Sequence, residues 1–125
     1  MEKLVKLEGK EIGFKCSAGT VRAYRMNYGR DLILDMASLE KELIENKTLS
    51  KDSTQCAEEV AYTMAREYDS DLAPIGEWLD QFSPYFVYAA VPEIICMWAD
   101  NLKTINSTKK NSEKLNEKPQ QPCSS

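Results

Sequence analysis

Between Lys15 and Val21 the spacing of apolar residues changes from every second position to every third or fourth, and this switch sets the order of the elements. Before it, Val5 and Leu7 alternate with Lys6 and Glu8, and Ile12, Phe14 and Cys16 alternate with Gly13 and Lys15. A period of two describes strands with one apolar face, so residues 3–17 are predicted to form a β-hairpin. A two-residue Gly9-Lys10 loop of the type II′ kind sets Leu7 opposite Ile12 and Val5 opposite Phe14, with all the apolar residues on one side. Two strands alone are marginal in water, so that side needs a cover.

After the switch, Val21, Tyr24, Tyr28, Leu32, Met36, Leu39 and Leu43 form one amphipathic stripe. The stripe passes through Gly29 in phase. That predicts one long helix that tolerates or kinks at the glycine, at ~1 kcal/mol relative to alanine. Ser17 or Thr20 is its candidate cap, and Asn46 with the polar run to Lys51 ends it. A second helix is expected from Asp52, with Gln55 at capping-box spacing and Ala57, Val60, Ala61, Met64, Ala65 and Tyr68 on its apolar face. DSDLAP reads as a loop. Pro74 opens a short helix with Ile75, Trp78, Leu79 and Phe82, and Ser83-Pro84 starts another. Pro92 begins the last helix, with Ile95, Trp98, Ala99 and Leu102 on its inner face, or else kinks a single helix running from Pro84. The fold class is mainly α: an N-terminal hairpin on a small bundle of about four to five helices, spanning residues 1–104. Residues 105–125 are polar and lysine-rich, with Ile105 and Leu115 as their only large apolar residues, and read as a disordered tail.

Composition narrows the function. A chain of 125 residues, 42% hydrophobic and 29% charged, suits one globular domain. No run is apolar enough to span a membrane, and the N-terminus lacks the apolar centre of a signal peptide, so a cytoplasmic location is expected. Histidine is absent, which removes the commonest general base and metal ligand. Cys16, Cys56, Cys96 and Cys123 form no CxxC pair; they read as three small core residues and a tail thiol, with no metal site. No phosphate-binding glycine loop, nucleophile elbow or Cys–His pair occurs, and no enzyme or cofactor is expected. Five lysines against Glu113 and Glu117 give residues 103–125 a charge of +3. The total is −4, so residues 1–102 carry −7.

That acidic body bears on Arg22–Ile33, RAYRMNYGRDLI. Its arginines and tyrosines suit phosphate contacts and base stacking, the pattern of a small DNA-binding regulator. They equally suit a packing helix with tyrosines inward and arginine stems on the flanks. The surrounding acidity favours the packing reading, and no nucleic-acid partner is expected. Arg25, Tyr28, Trp78, Tyr85 and Trp98 are the candidate partner-binding residues, because each joins contact area to a polar handle.

The ordered combination LEGKEIGFKCSAGT, VRAYRMNYGRDLILDMASLEK, AYTMAREYD, EWLDQF and VPEIICMWADNLKT resembles the tail assembly chaperones of siphovirus-type phages and prophages of Gram-positive bacteria. The resemblance covers about residues 3–110 and rests on packing residues, with no single diagnostic motif. It implies a protein that binds the long apolar tape measure protein in the host cytoplasm, keeps it soluble, presents it to tail tube subunits and is left out of the finished virion. In many such phages a programmed frameshift near the end of the frame adds a second domain, and the short and extended forms act together. Self-association is compatible with this picture. The alternatives are the DNA-binding regulator and another morphogenesis protein, a connector or tail terminator that stays in the particle.

Overall fold

The change of period at Ser17 is a change of element in the computed structural model, which describes residues 1–109 and side chains as far as Asn101. The order is β1 (Glu2–Leu7), β2 (Lys10–Lys15), α1 (Ala18–Tyr28), α2 (Leu32–Asn46), α3 (Lys51–Tyr68), α4 (Ile75–Leu79) and α5 (Phe86–Lys109). The chain is mainly helical with an N-terminal antiparallel hairpin. None of the described helices is long and apolar enough to cross a membrane.

The hairpin turns one residue earlier than a Gly9-Lys10 loop requires. Glu8 and Gly9 occupy the turn with φ of 54° and 82°, the two positive values of a type I′ turn, whose twist matches that of the strands. Leu7 therefore faces Lys10, Val5 faces Ile12 and Lys3 faces Phe14. Each partner moves by two positions, so the apolar face survives. Val5, Leu7, Phe14 and Cys16 are buried on it. Glu8 is a non-glycine residue in the left-handed region, and its carboxylate offsets that strain by accepting from Ser83 N–H at 2.7 Å and Ser83 Oγ–H at 2.5 Å. On the other face Gly13 lies under the Tyr68 ring; a Cβ there would come within 2.2 Å of Tyr68 Cε1.

Ser17 caps α1 and Thr20 completes a capping box with it, so both cap candidates act together. The single long helix through Gly29 is not formed. Gly29 takes φ 70°, and its N–H donates to Arg25 O at 2.7 Å. Asp31 then caps α2 by accepting from Leu34 N–H at 3.1 Å. A left-handed glycine followed two residues later by a capping aspartate satisfies both helix ends and outcompetes continuation. Tyr24, Leu32, Met36 and Leu39 remain buried on both sides of the corner.

Lys47 ends α2 in the left-handed region, next to the expected Asn46. The cap of α3 is Ser50, which accepts from Ser53 N–H at 3.1 Å, and not Asp52. Gln55 donates to Glu59 Oε2 at 3.0 Å and closes no box. α3 is the central element and packs on β2 and on every other helix. Its small residues Ala57, Ala61 and Ala65 are buried and let neighbours approach closely. Phe82 lies beyond the end of α4.

Pro92 does not begin the last helix; the alternative of a single helix running through it is the one found, starting two residues after Pro84. α5 starts at Phe86 and runs through Pro92 to Lys109, five residues past the expected limit at Thr104. Pro92 cannot donate to the Tyr88 carbonyl, but both residues lie on the exposed side, where water can serve that oxygen. The Tyr88 hydroxyl accepts from Leu49 N–H at 3.1 Å and ties the α2–α3 connection to α5. Of the expected tail, residues 105–109 are helical, and 110–125 lie outside the described residues.

Candidate functional site

α2 carries two apolar stripes one residue out of register. Leu32, Met36, Leu39 and Leu43 point to the core; Ile33, Ala37 and Ile44 follow at nearly the same spacing on the neighbouring face. The second stripe has no cover. Ile33 is 49% exposed, Ile44 is 65% exposed and the adjacent Leu34 is 68% exposed. α5 packs beside α2, and between them lies a groove of about 520 Å³ lined by Ile33, Met36, Ala37, Glu40, Ile95, Trp98, Ala99 and Asn101. Trp98 is half-buried, and its indole N–H donates to Met64 Sδ at 3.4 Å. Glu40 is the only charged lining residue, and it makes no ion pair among the described residues.

The five candidate residues do not form one site. Trp98 lines the groove. Trp78 is only 4% exposed and sits edge-on to Tyr62, Phe82 and Phe86 with ring centroids 5.5, 5.2 and 5.5 Å away. It is a core residue with no ring face free for a partner. Tyr85 is 72% exposed just before α5. Arg25 is exposed on the last turn of α1, and Tyr28 is half-buried beside Tyr24. The remaining groove residues, Ile33, Met36, Ala37, Glu40, Ile95, Ala99 and Asn101, were not among the candidates. Their signal was the second stripe Ile33-Ala37-Ile44, hidden beside the stronger buried one.

Arg30, the third arginine of the Arg22–Ile33 stretch, is partly exposed but paired within its own molecule. Its Nε donates to Asp35 Oδ2 at 2.9 Å, and its Nη2 donates to the Tyr24 hydroxyl at 2.7 Å and to the Glu59 carboxylate. The Tyr24 hydroxyl in turn donates to Asp35 Oδ2 at 2.7 Å. The guanidinium also lies 5.2 and 5.5 Å from the Tyr24 and Tyr28 ring centroids. These contacts, the Glu59 hydrogen bond foremost, hold the guanidinium protonated well above its ordinary value. Burial pushes the Tyr24 phenol far up, and burial likewise raises the Cys56 thiol, 3.5 Å from that phenol. The adjoining cleft of about 370 Å³, which Arg30, Asp35, Asp52, Cys56 and Glu59 help to line, thus holds a neutral thiol and a paired cation, with the Tyr24 phenol buried behind them. It clamps the α1–α2 corner onto α3 and leaves Arg30 no charge to offer a phosphate.

Cys16 is a buried free thiol, and burial pushes it up to about 12, so it behaves as a small core residue; Cys96 is buried as well. Among the described residues, no group of three acidic or cysteine side chains can hold a metal ion. No protein-family model, curated protein or solved structure matches the chain.

Proposed function

We propose that this protein is an assembly chaperone of the siphovirus tail type, which holds the apolar helices of a tape measure protein until the tail tube forms around it. The observation that carries the reading is the uncovered apolar groove between α2 and α5. A small domain that buries its core and still leaves Ile33, Leu34 and Ile44 in water, beside a groove walled by Ile95 and Trp98, has surface to spare for a partner. A tape measure protein offers the complement, long helices whose apolar stripes aggregate when bare. Holding them calls for shape and apolar area, supplied here by two rigid helices. The holding reaction needs no nucleophile, cofactor or metal. The acidic body keeps the loaded complex soluble by charge.

The DNA-binding alternative loses support because Arg30 is paired with Asp35 and Glu59. A virion component remains distinct in its prediction, since a chaperone is missing from purified particles.

Co-expression with the largest open reading frame downstream in the same genome tests the proposal. The tape measure protein should stay soluble and co-purify with this chain, and should aggregate when the chain is omitted. Ala37→Arg places a bulky charge in the groove on an exposed helix position, and should cut the co-purified amount at least about tenfold while the variant itself stays folded. Equal solubility with and without this protein would overturn the reading.

A further inference from the structure

From the same groove we infer the chemistry of its occupant: a single amphipathic helix with a lysine or arginine flanking its apolar stripe, the cation seated on Glu40. This rests on the chaperone reading and extends it from a partner's identity to the feature by which that partner is chosen.

The groove selects a helix. Its apolar walls, Ile33, Ala37, Ile95 and Trp98, carry no hydrogen-bonding side-chain group free for a guest, because the Trp98 N–H is already engaged by Met64. Glu40 and Asn101 are the polar lining residues. A strand or loop laid there would strand its own N–H and C=O groups against hydrocarbon. A helix satisfies its backbone internally and presents only side chains. Ala37 and Ala99 are small and let such a cylinder approach closely.

The groove also selects a sign of charge. Glu40 is a half-buried carboxylate among apolar neighbours with no ion pair among the described residues. Eighteen Asp and Glu against thirteen Lys and Arg give residues 1–109 a net charge of −5, so the surrounding field favours a cation at the same place. A partner lysine or arginine supplies what Glu40 lacks, and a partner carboxylate is repelled.

Two synthetic peptides of about 20 residues, ~30 Å of helix, test this. Both carry the same leucine–alanine stripe; one has lysines on the flanks and the other glutamates. Fluorescence anisotropy with the full-length protein should show the lysine peptide binding at least about tenfold tighter at low salt. Glu40→Lys should reverse the order, with helical content and unfolding midpoint unchanged. Ala37→Arg should weaken both peptides. Equal affinities for the two peptides would overturn the role of Glu40. If neither peptide binds while the tape measure protein is still held soluble, the occupant fails and the chaperone reading stands. If the lysine peptide binds as stated but the tape measure protein is not protected, the occupant stands and the chaperone reading fails. A dimer in solution that Ala37→Arg dissociates would give the groove to a second copy. A rise of about tenfold in peptide affinity when Lys110, Lys114 and Lys118 are changed to glutamate would give it to the chain's own C-terminal segment. Either result overturns the inference.

Discussion

Two clefts border α2, and they are chemical opposites. The cleft beside Arg30 is polar, and its one cation is answered from within: Arg30 pairs with Asp35 and Glu59, and the buried Tyr24 hydroxyl behind them donates to Asp35. The groove beside Trp98 is apolar, and its main polar group, Glu40, has no ion pair among the described residues. Charged residues catch the eye in a sequence, yet here the charges at the Arg30 cleft are spent on holding the fold. The region with capacity left for another molecule is the one built from Ile33, Ala37 and Ile95. The difference teaches that a candidate site is better sought where a molecule leaves its own groups unsatisfied than where it gathers them.

The two tryptophans give the largest test of that contrast. Trp78→Ala removes a buried ring and should lower the unfolding free energy by about 3–5 kcal/mol, read from the urea midpoint. Trp98→Ala removes a half-buried ring and should cost about 1–2 kcal/mol, yet abolish capture of the tape measure protein. A Trp98→Ala protein that still captures its partner would erase the distinction between core and groove. Next in size is Arg30→Ala. It leaves Asp35 and Glu59 facing each other without their cation and should cost about 2 kcal/mol, a figure tempered by the partial exposure of the arginine. Peptide and tape-measure binding should be unchanged. Loss of binding at full stability would move the functional site to the polar cleft.

Much of the frame was legible from local chemistry. The alternation of Val5, Leu7, Phe14 and Cys16 identified the buried hairpin face even though the turn was displaced, because a shift of two positions keeps side chains on their side. A cap at Ser17 or Thr20 and the end near Asn46 were legible because capping is local, although the joint box of the two residues was not read. The corner at Gly29 was masked by an in-phase apolar stripe, although the Gly29…Asp31 pair carried the opposite signal. Pro92 left a helix start and a helix running through it both open, because its cost depends on which side of α5 faces water, a tertiary matter. The groove was legible only in part. Trp98 stood out as an aromatic residue, but Ile33 and Ala37 belong to a second stripe whose exposure depends on how α2 and α5 meet. Trp78 is the mirror case, an aromatic residue whose burial the sequence could not distinguish from display.

The corner itself supplies a smaller test. Gly29 holds φ 70°, and an added Cβ meets no atom within 4 Å there, so Gly29→Ala isolates backbone strain from packing. It should cost about 1 kcal/mol. Because the Arg30 clamp holds α2 in place from the other side, groove binding should persist. A Gly29→Ala protein with intact stability and no binding would mean that the corner, and not the groove walls, is what the partner reads.

Smallest in size is an effect of pH at the other self-satisfied polar contact. The side-chain and backbone hydrogen bonds from Ser83 hold the Glu8 carboxyl below its ordinary value near 4.5. A carboxyl that binds its proton less readily in the folded state adds stability that is complete above the unfolded value and disappears as pH falls through the folded one. The unfolding midpoint of the native protein should therefore drop between about pH 5 and pH 3, and Glu8→Gln should flatten that part of the curve. The two proteins should converge at low pH, where Glu8 is protonated, and differ most above about pH 6, by a small amount because Glu8 is fully exposed and screened by solvent. Capture of the tape measure protein at neutral pH should be the same for both, because the Glu8–Ser83 contact joins the hairpin turn to the loop before α5 and touches no groove residue. An unchanged acid limb in Glu8→Gln would assign the acid sensitivity to a group other than Glu8.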